Sequence, residues 1–336
     1  MKGGEKMGKL KPLNKDVRII AAITSDMHMD TNSNQNSRRM KTVKKVLTDL
    51  EKSPIAFDAF IVNGDITSRG NKENWECVRK CFWRMHPAKR ILLSMGNHDT
   101  WNDEGFKAAL ERFLDNTKNL SSENRKRAYF TEIIHGYYFI FLGGTKDGHD
   151  EDCVHLGREE LKWFREQMEE ASRGGRPIFV FCHQSINGHH GLPKTWSEHE
   201  DPSRGKEIGG IGSESDDVEE ILTDYQNVFY FSGHSHMGLC GEKSLKHKGY
   251  ASFEKRDGVN YINIPCLTRP NHHGETDETG IGMVLEIYSD RVVIRPRNFV
   301  KRKMNKKIMI RDKKPYYEEP IVVRTADKAD EAPAEA

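Results

Sequence analysis

Short apolar runs alternate along this chain with amphipathic stretches of helical period, and that alternation restricts the fold more than any other feature. The runs Val17–Thr24, Phe57–Val62, Ile91–Met95, Tyr137–Leu142, Ile178–Cys182 and Val228–Phe231 are strand-length and rich in β-branched or aromatic residues. Between them apolar residues recur on one helical face. Met40, Val43, Leu47 and Leu50 follow a candidate cap at Ser37, and Val218, Ile221 and Leu222 follow Ser215. Trp75, Val78, Phe82 and Met85 form another such face, as do Phe106, Leu110 and Phe113, and Leu161, Phe164 and Met168. Strands and helices in alternation imply an α/β layered fold.

The last third changes character. Tyr261–Ile264, Met283–Tyr288 and Arg291–Ile294 read as strands, with a hairpin turn at Ser289-Asp290 between alternating Leu285, Ile287, Val292 and Ile294. The expected organisation is a basic extension over residues 1–16, one domain over 17–314, and a C-terminal extension over 315–336 ending in a disordered tail. Residues 184–213 lack periodicity and read as an insert loop forming a wall or lid. The basic run Lys301–Lys314 reads as a solvated face, with an anionic partner as the sharper alternative.

Composition excludes several classes. With 36% hydrophobic residues the chain can fill a core, and 53 Lys+Arg against 51 Asp+Glu leaves a net charge of only +2, which argues against a nucleic-acid binder. No apolar run approaches the ~20 residues of a membrane helix, so no membrane insertion is expected. The polar N-terminus shows no secretory pattern. The six cysteines lack C-x-x-C spacing and read as reduced, mostly buried thiols, with Cys77 and Cys81 packed on one helix face. The expected location is the cytoplasm. The oligomeric state is open.

The chemistry sits at the strand ends. Asp26 and His28 follow the first strand, Asp65 the second, Asn97, His98 and Asp99 the third, His183 a later one, and His234 and His236 another. In open α/β sheets the carboxyl ends of strands meet at one crevice, so these segments can converge. On an extended backbone, residues two apart share a side, which would aim Asp26 with His28 and His234 with His236 at one point. Gly64, Gly96 and Gly233 precede the ligands and permit tight turns. The seven candidate ligands Asp26, His28, Asp65, Asn97, His183, His234 and His236 exceed what one ion takes and suit two, with Asp65 the natural bridge. All-N/O ligation suits Mn, Fe, Zn, Co or Ni. Two divalent ions against two carboxylates leave a cationic cavity that favours phosphate, and such pairs supply hydroxide and clamp an in-line displacement.

Asp26-x-His28, Gly64-Asp65, Gly96-Asn97-His98-Asp99, His183 and Gly233-His234-x-His236, in this order, resemble the calcineurin-like metallophosphoesterases. The resemblance implies a four-layer α-β-β-α sandwich of two mixed β-sheets with a dinuclear site at their edge. It assigns Asp26, His28, Asp65 and His236 to one metal, and Asp65, Asn97, His183 and His234 to the other. His98 would be the general acid, oriented by Asp99. The implied cofactors are two divalent or trivalent transition-metal ions, Mn, Fe or Zn.

The details narrow the branch. Ile66, Thr67 and Ser68 stand where purple acid phosphatases carry a tyrosine, and Asp99 stands where protein phosphatases carry glutamate. The pattern is nearer the prokaryotic branch that includes class III cyclic-nucleotide phosphodiesterases. The expected function is therefore hydrolysis of a small-molecule phosphodiester, with phosphomonoesterase as the alternative and a non-catalytic scaffold behind both. Arg69 could bind phosphate or position its loop, and Trp101 and Trp196 could stack on a base. Asn32, Asn34, Asn36, His189-His190 and His272-His273 could touch substrate or simply line loops. The remaining histidines read as structural or surface residues.

Overall fold

The computed structural model describes residues 16–31, 33–101, 104–118, 125–145, 153–190, 210–239, 251–269, 279–301, 303–304 and 321–325. Residues 1–15, most of the insert (191–209), Trp196, His272-His273, most of the basic run and the tail beyond 325 lie outside them. So do Asn32 and the side chains of Asn34 and Asn36.

The described elements are β1 (Ile19–Thr24), α1 (Ser33–Glu51), β2 (Ala59–Asn63), α2 (Lys72–Phe82), β3 (Arg90–Ser94), α3 (Asn97–Thr100) and α4 (Phe106–Thr117), followed by β4 (Phe130–Ile134) and β5 (Tyr137–Phe141). Next come α5 (Gly157–Ser172), β6 (Ile178–Phe181), α6 (Ser215–Thr223), β7 (Val228–Ser232) and β8 (Phe253–Arg256). The chain closes with β9 (Val259–Asn263), β10 (Ile281–Ile287), β11 (Arg291–Asn298), β12 (Lys303–Met304) and β13 (Ile321–Arg324). One mixed sheet runs β12-β11-β10-β1-β2-β3 with β13 beside β11, and the other runs β4-β5-β6-β7-β9-β8.

Three cores separate four layers. Ile19, Ala21, Ile23, Ala59 and Ile61 meet Phe139, Phe179 and Phe229 between the sheets. The alternate residues Ile20, Ala22, Phe60 and Val62 pack against α1 and α2 residues such as Val43, Leu47, Trp75 and Val78. On the far side, Ile140, Val180 and Tyr230 meet Phe164 and Met168 of α5 and Val218 and Ile221 of α6. Strands buried on both faces carry continuous apolar runs, which is why β1, β2 and β5–β7 were legible.

Register gives the second sheet its inner surface. Phe139, Phe179 and Phe229 pair across β5, β6 and β7, as do Phe141, Phe181 and Phe231. Their rings form two ladders, with centroids 5.1 and 5.3 Å apart in the first and 4.8 Å at both steps of the second. The facing sheet presents Ala21 and Ala59, small enough to admit those rings. β1–β3 are mutually parallel, and so are β5, β6, β7 and β9, so their carboxyl ends lie along common edges.

Several sequence expectations are corrected here. Helix α1 begins at Ser33, so Ser37 lies inside it instead of capping it. Strands β4, β8, β12 and β13 were not expected; β4 and β8 are edge strands whose polar residues, Thr131-Glu132 and Glu254-Lys255-Arg256, break the apolar signal. The hairpin at Ser289-Asp290 forms, pairing Ile287 with Val292. The described ends of the insert are packed: Ile186 and Ile211 are buried, and the Ile211 N–H donates to the Ser185 carbonyl at 3.1 Å. The described cysteines Cys77, Cys81, Cys153, Cys182 and Cys266 are buried free thiols. Among the described residues no helix is long and apolar enough to cross a membrane.

Glu160, in the first turn of α5, is fully buried, and its Oε1 accepts the Gly143 N–H at 2.9 Å. Burial pushes this carboxyl up to about 8, while the Gly143 and Gly144 amides act in the opposite direction. The unfolded chain therefore ionises before the folded one, and stability falls as pH rises from about 5 towards 8. Glu160→Gln keeps an acceptor for Gly143 and removes the ionisation. In urea titrations across that range, the parent should lose roughly 1.4 kcal/mol per pH unit relative to the variant. Parallel pH profiles would contradict the assignment.

Candidate metal centre

The two sheets are stitched together where their parallel strands end. Asn63, the last residue of β2, donates through Nδ2 to the carbonyls of Cys182 at 2.9 Å and Phe231 at 3.2 Å, beyond β6 and within β7. Its Oδ1 accepts the Ser94 hydroxyl at 3.0 Å, and its carbonyl accepts the Ser25 hydroxyl and a His183 ring nitrogen, both at 2.7 Å. The turns after β1, β2, β3, β6 and β7 are thereby held at one edge.

Those turns are not extended, which corrects the sequence reading of Asp26/His28 and His234/His236 as strand residues sharing a side. Asp26, His28, Asp65, His234 and His236 all adopt left-handed backbone, with φ of 58°, 43°, 49°, 63° and 47°. Each such conformation costs a residue with a Cβ roughly 1–2 kcal/mol. Strain of this kind collects where a side chain must be aimed. Of the preceding glycines, only Gly64 is left-handed, with φ of 81°. Gly96 and Gly233 are required for space instead. A Cβ at Gly96 would overlap Asp65 Oδ1, and one at Gly233 would overlap Ser25 Oγ and stand 2.8 Å from Asp26 Oδ2.

The aimed side chains converge. His236 Nε2 is 2.8 Å from His28 Nε2 and 3.0 Å from Asp26 Oδ1. His28 Nε2 is 3.6 Å from both Asp26 Oδ1 and Asp65 Oδ2, and His183 Nε2 is 3.2 Å from Asp65 Oδ2. Donors bound at 2.0–2.2 Å to one ion stand roughly 3–3.5 Å from each other, so these spacings suit coordination. Two of the groups that form, Asp26–His28–Asp65–His236 and Asp65–His183–His234, share Asp65. Asp65 Oδ1 accepts the His98 N–H at 3.0 Å, which leaves Oδ2 buried between the histidines. His234 donates its N–H to Asp26 Oδ2 at 3.2 Å and sets its ring edge-on to His183. Asn97 is buried at the head of α3, one residue before the amide that holds Asp65.

The donor set fits cations. His28 Nδ1, Asp65 Oδ2 and His183 Nε2 are buried without a hydrogen-bond partner. Burial alone would raise Asp26 and Asp65, yet the facing imidazoles, His236 and His183 for Asp26 and His183 and His98 for Asp65, hold both carboxyls well below the usual range. Burial disfavours a charged His183, but the Asp65 and Asp26 carboxylates outweigh it and lift the ring to about 9. Burial pushes His28 the other way, well below the ordinary imidazole value. Carboxylates kept ionised in a dry pocket beside such nitrogens are what a bound cation requires.

Asp99 is placed otherwise than the resemblance implies, and His98 is held by a different group. The His98 ring packs edge-on to His28, at 4.7 Å between centroids, and its Nδ1 meets the Ser68 carbonyl at 3.0 Å. Asp99 makes no bond to His98 among these contacts. Its carboxylate accepts the N–H groups of Ile66, Thr67 and Gly96 at 3.2, 2.8 and 3.0 Å and the Thr67 hydroxyl at 2.8 Å. Burial and the nearby Asp65 charge push Asp99 up to about 7. It thus shapes the turn that carries Ser68, one step behind His98. Trp101 lies 4.9 Å from the His98 ring, and the Arg69 guanidinium stands 5.4 Å over the Trp101 ring. His189 and His190 bond to residues outside this cluster, Glu219 at 2.9 Å and the Ala251 carbonyl at 2.7 Å. Asn63, Ser25 and the Ser68 carbonyl were missed from sequence. Only the Asn63-Gly64-Asp65 order hinted at the first.

The crowding at Gly233 yields a test. Gly233→Ala should displace Ser25 and Asp26 and reduce metal retained after gel filtration by more than half, with the far-ultraviolet circular dichroism of the parent. Full metal content, read by plasma emission, would contradict this placement of Asp26.

A family model described as calcineurin-like phosphoesterase matches residues 21–238. Among curated proteins none matches the chain significantly. Among solved structures, a dimetal phosphatase from zebrafish (Danio rerio) is 12% identical, with 93% of this chain and 100% of that one covered and a TM-score of 0.56. A purple acid phosphatase from seeds of yellow lupin (Lupinus luteus) is also 12% identical, over 93% of this chain, with a TM-score of 0.57. The chain spans only 54% of that phosphatase's length. At these identities the likeness is one of fold.

Proposed function

The chain belongs to the calcineurin-like phosphoesterase family, whose members are metal-dependent phosphoester hydrolases, and we propose that it hydrolyses a small phosphodiester such as a cyclic nucleotide. In this reading Asp26, His28, Asp65 and His236 would hold one ion, and Asp65, Asn97, His183 and His234 the second, drawn from Mn, Fe or Zn. When bound, such a pair supplies Lewis acidity towards phosphoryl oxygens and hydroxide at neutral pH.

The chain's own residues do the remainder. The turns after β1, β2, β6 and β7 fix the donors before any ligand arrives, so little reorganisation is needed at reaction. The observation that carries the reading is His98. With Nδ1–H on the Ser68 carbonyl, its ring is oriented and Nε2 is left for substrate. A protonated His98 can therefore deliver its Nε2 proton to a departing alkoxide oxygen and stay in place afterwards. Asp99 keeps the Ser68 turn in register, and Trp101 offers an apolar face on the side where the esterified group departs. The Gly-Asn-His-Asp and Gly-His-x-His patterns support diester over monoester chemistry. We assign the phosphoesterase domain to residues 17–314, with the 184–213 insert as a wall of the cleft. The C-terminal extension contributes β13 to the sheet edge.

His98→Ala should retain the parent's metal content while kcat on bis-p-nitrophenyl phosphate falls about 10²–10⁴-fold. Unchanged turnover would remove His98 from the chemistry. The parent itself should cleave bis-p-nitrophenyl phosphate faster than the mono ester at equal concentration. Turnover of the monoester alone would favour a phosphatase.

A further inference from the structure

Strand β9 brings one more donor to the same edge. The segment after it runs alongside the Asp26 turn: Cys266 forms a parallel bridge with Ser25, the Leu267 N–H donates to the Ser25 carbonyl at 3.0 Å, and the Thr268 hydroxyl donates to the Met27 carbonyl at 2.8 Å. These bonds hold the Cys266 side chain against the site. Its Sγ and one ring nitrogen each of His28 and His236 lie within 4.8 Å of one another, and all three residues are buried.

Backbone amides also face the sulfur. The Arg269 N–H is directed at Sγ at 3.4 Å, and the Thr268 N–H also favours the anionic form. Amides two and three residues onward, aimed back at sulfur, stabilise a thiolate and act as the outer support that tunes metal ligands. Burial and the nearby Asp26 charge oppose ionisation, so without a cation Cys266 remains a thiol and donates to the Asp26 carbonyl at 3.4 Å. A coordinating cation inverts that preference.

We propose that Cys266 is a thiolate ligand of the ion held by Asp26, His28 and His236, and that it selects a thiophilic ion such as zinc, iron or cobalt there over manganese or magnesium. On binding, the S–H bond breaks, a metal–sulfur bond forms and the proton leaves to solvent. The two positions then differ: one carries a soft donor and the other only nitrogen and oxygen, where the sequence had suggested N/O ligation throughout. The inference rests on the two-ion reading above.

Cobalt substitution separates the two claims. Full-length protein loaded with Co²⁺ should bind two ions and show a sulfur-to-cobalt charge-transfer band in the near ultraviolet. Cys266→Ser should lose that band while keeping its visible ligand-field bands. Two bound ions with no band, or a band that survives in Cys266→Ser, overturns the thiolate and leaves the pair standing. Failure of the parent to bind cobalt overturns both, whereas one ion with the band supports Cys266 and contradicts the pair. X-ray absorption of the zinc-loaded parent needs no variant: one sulfur neighbour at ~2.3 Å is expected, and a shell of nitrogen and oxygen alone would overturn the proposal. In competition, Cys266→Ser should also reduce the preference for zinc over manganese by about tenfold or more.

Discussion

The catalytic edge depends on the saturated hydrogen bonding of Asn63. One side chain reaches from the end of β2 in the first sheet to carbonyls at the ends of β6 and β7 in the second, and its own carbonyl receives Ser25 and His183. A buried hydrogen bond contributes about 1 kcal/mol net, but leaving one of these groups unpaired would cost more. Because the partners are spread over both sheets, the bonds fix how far the sheets can slide past each other. That distance decides whether Asp65 meets His183 at 3.2 Å or faces empty space.

On that frame the chain accepts strain. Five metal-type residues sit in left-handed backbone, and glycines at 96 and 233 leave no room for a methyl group. The neighbouring sandwich holds them there, since the aromatic ladders and small facing alanines leave the strands little freedom. The same turns bury two ionised carboxylates and several imidazoles together, an arrangement completed by cations. Stability and function thus draw on different parts of the molecule. The sheets supply the first, and their carboxyl edges hold the second.

Much of this was legible in the sequence, for a physical reason. Strands such as β1 and β7 are buried on both faces, so they carry unbroken apolar runs, and the polar residues that end them stand out. Edge strands were less legible: β8 is the charged sequence Phe253-Glu254-Lys255-Arg256, and β13 leaves Val322 exposed. The start of α1 was misjudged because Ser33 and Asn34 precede the first apolar position and show no period. The left-handed Asp and His were missed because an extended continuation of each strand was assumed, although these residue types are enriched in that conformation. The role of Asp99 was misread for another reason: its partners at Ile66 and Thr67 are distant in sequence, whereas His98 is adjacent. Cys266 carries no motif at all; only the pairing of β9 with β7 and the Ser25 bridge reveal where it goes.

Anomalous diffraction from crystals of the metal-loaded protein, collected at the manganese, iron and zinc edges, tests the dinuclear centre most directly. Two peaks ~3.5–4 Å apart with Asp65 between them, one beside His28 and His236 and the other beside His183 and His234, are predicted. A single peak, or none within coordination distance of Asp65, would contradict it.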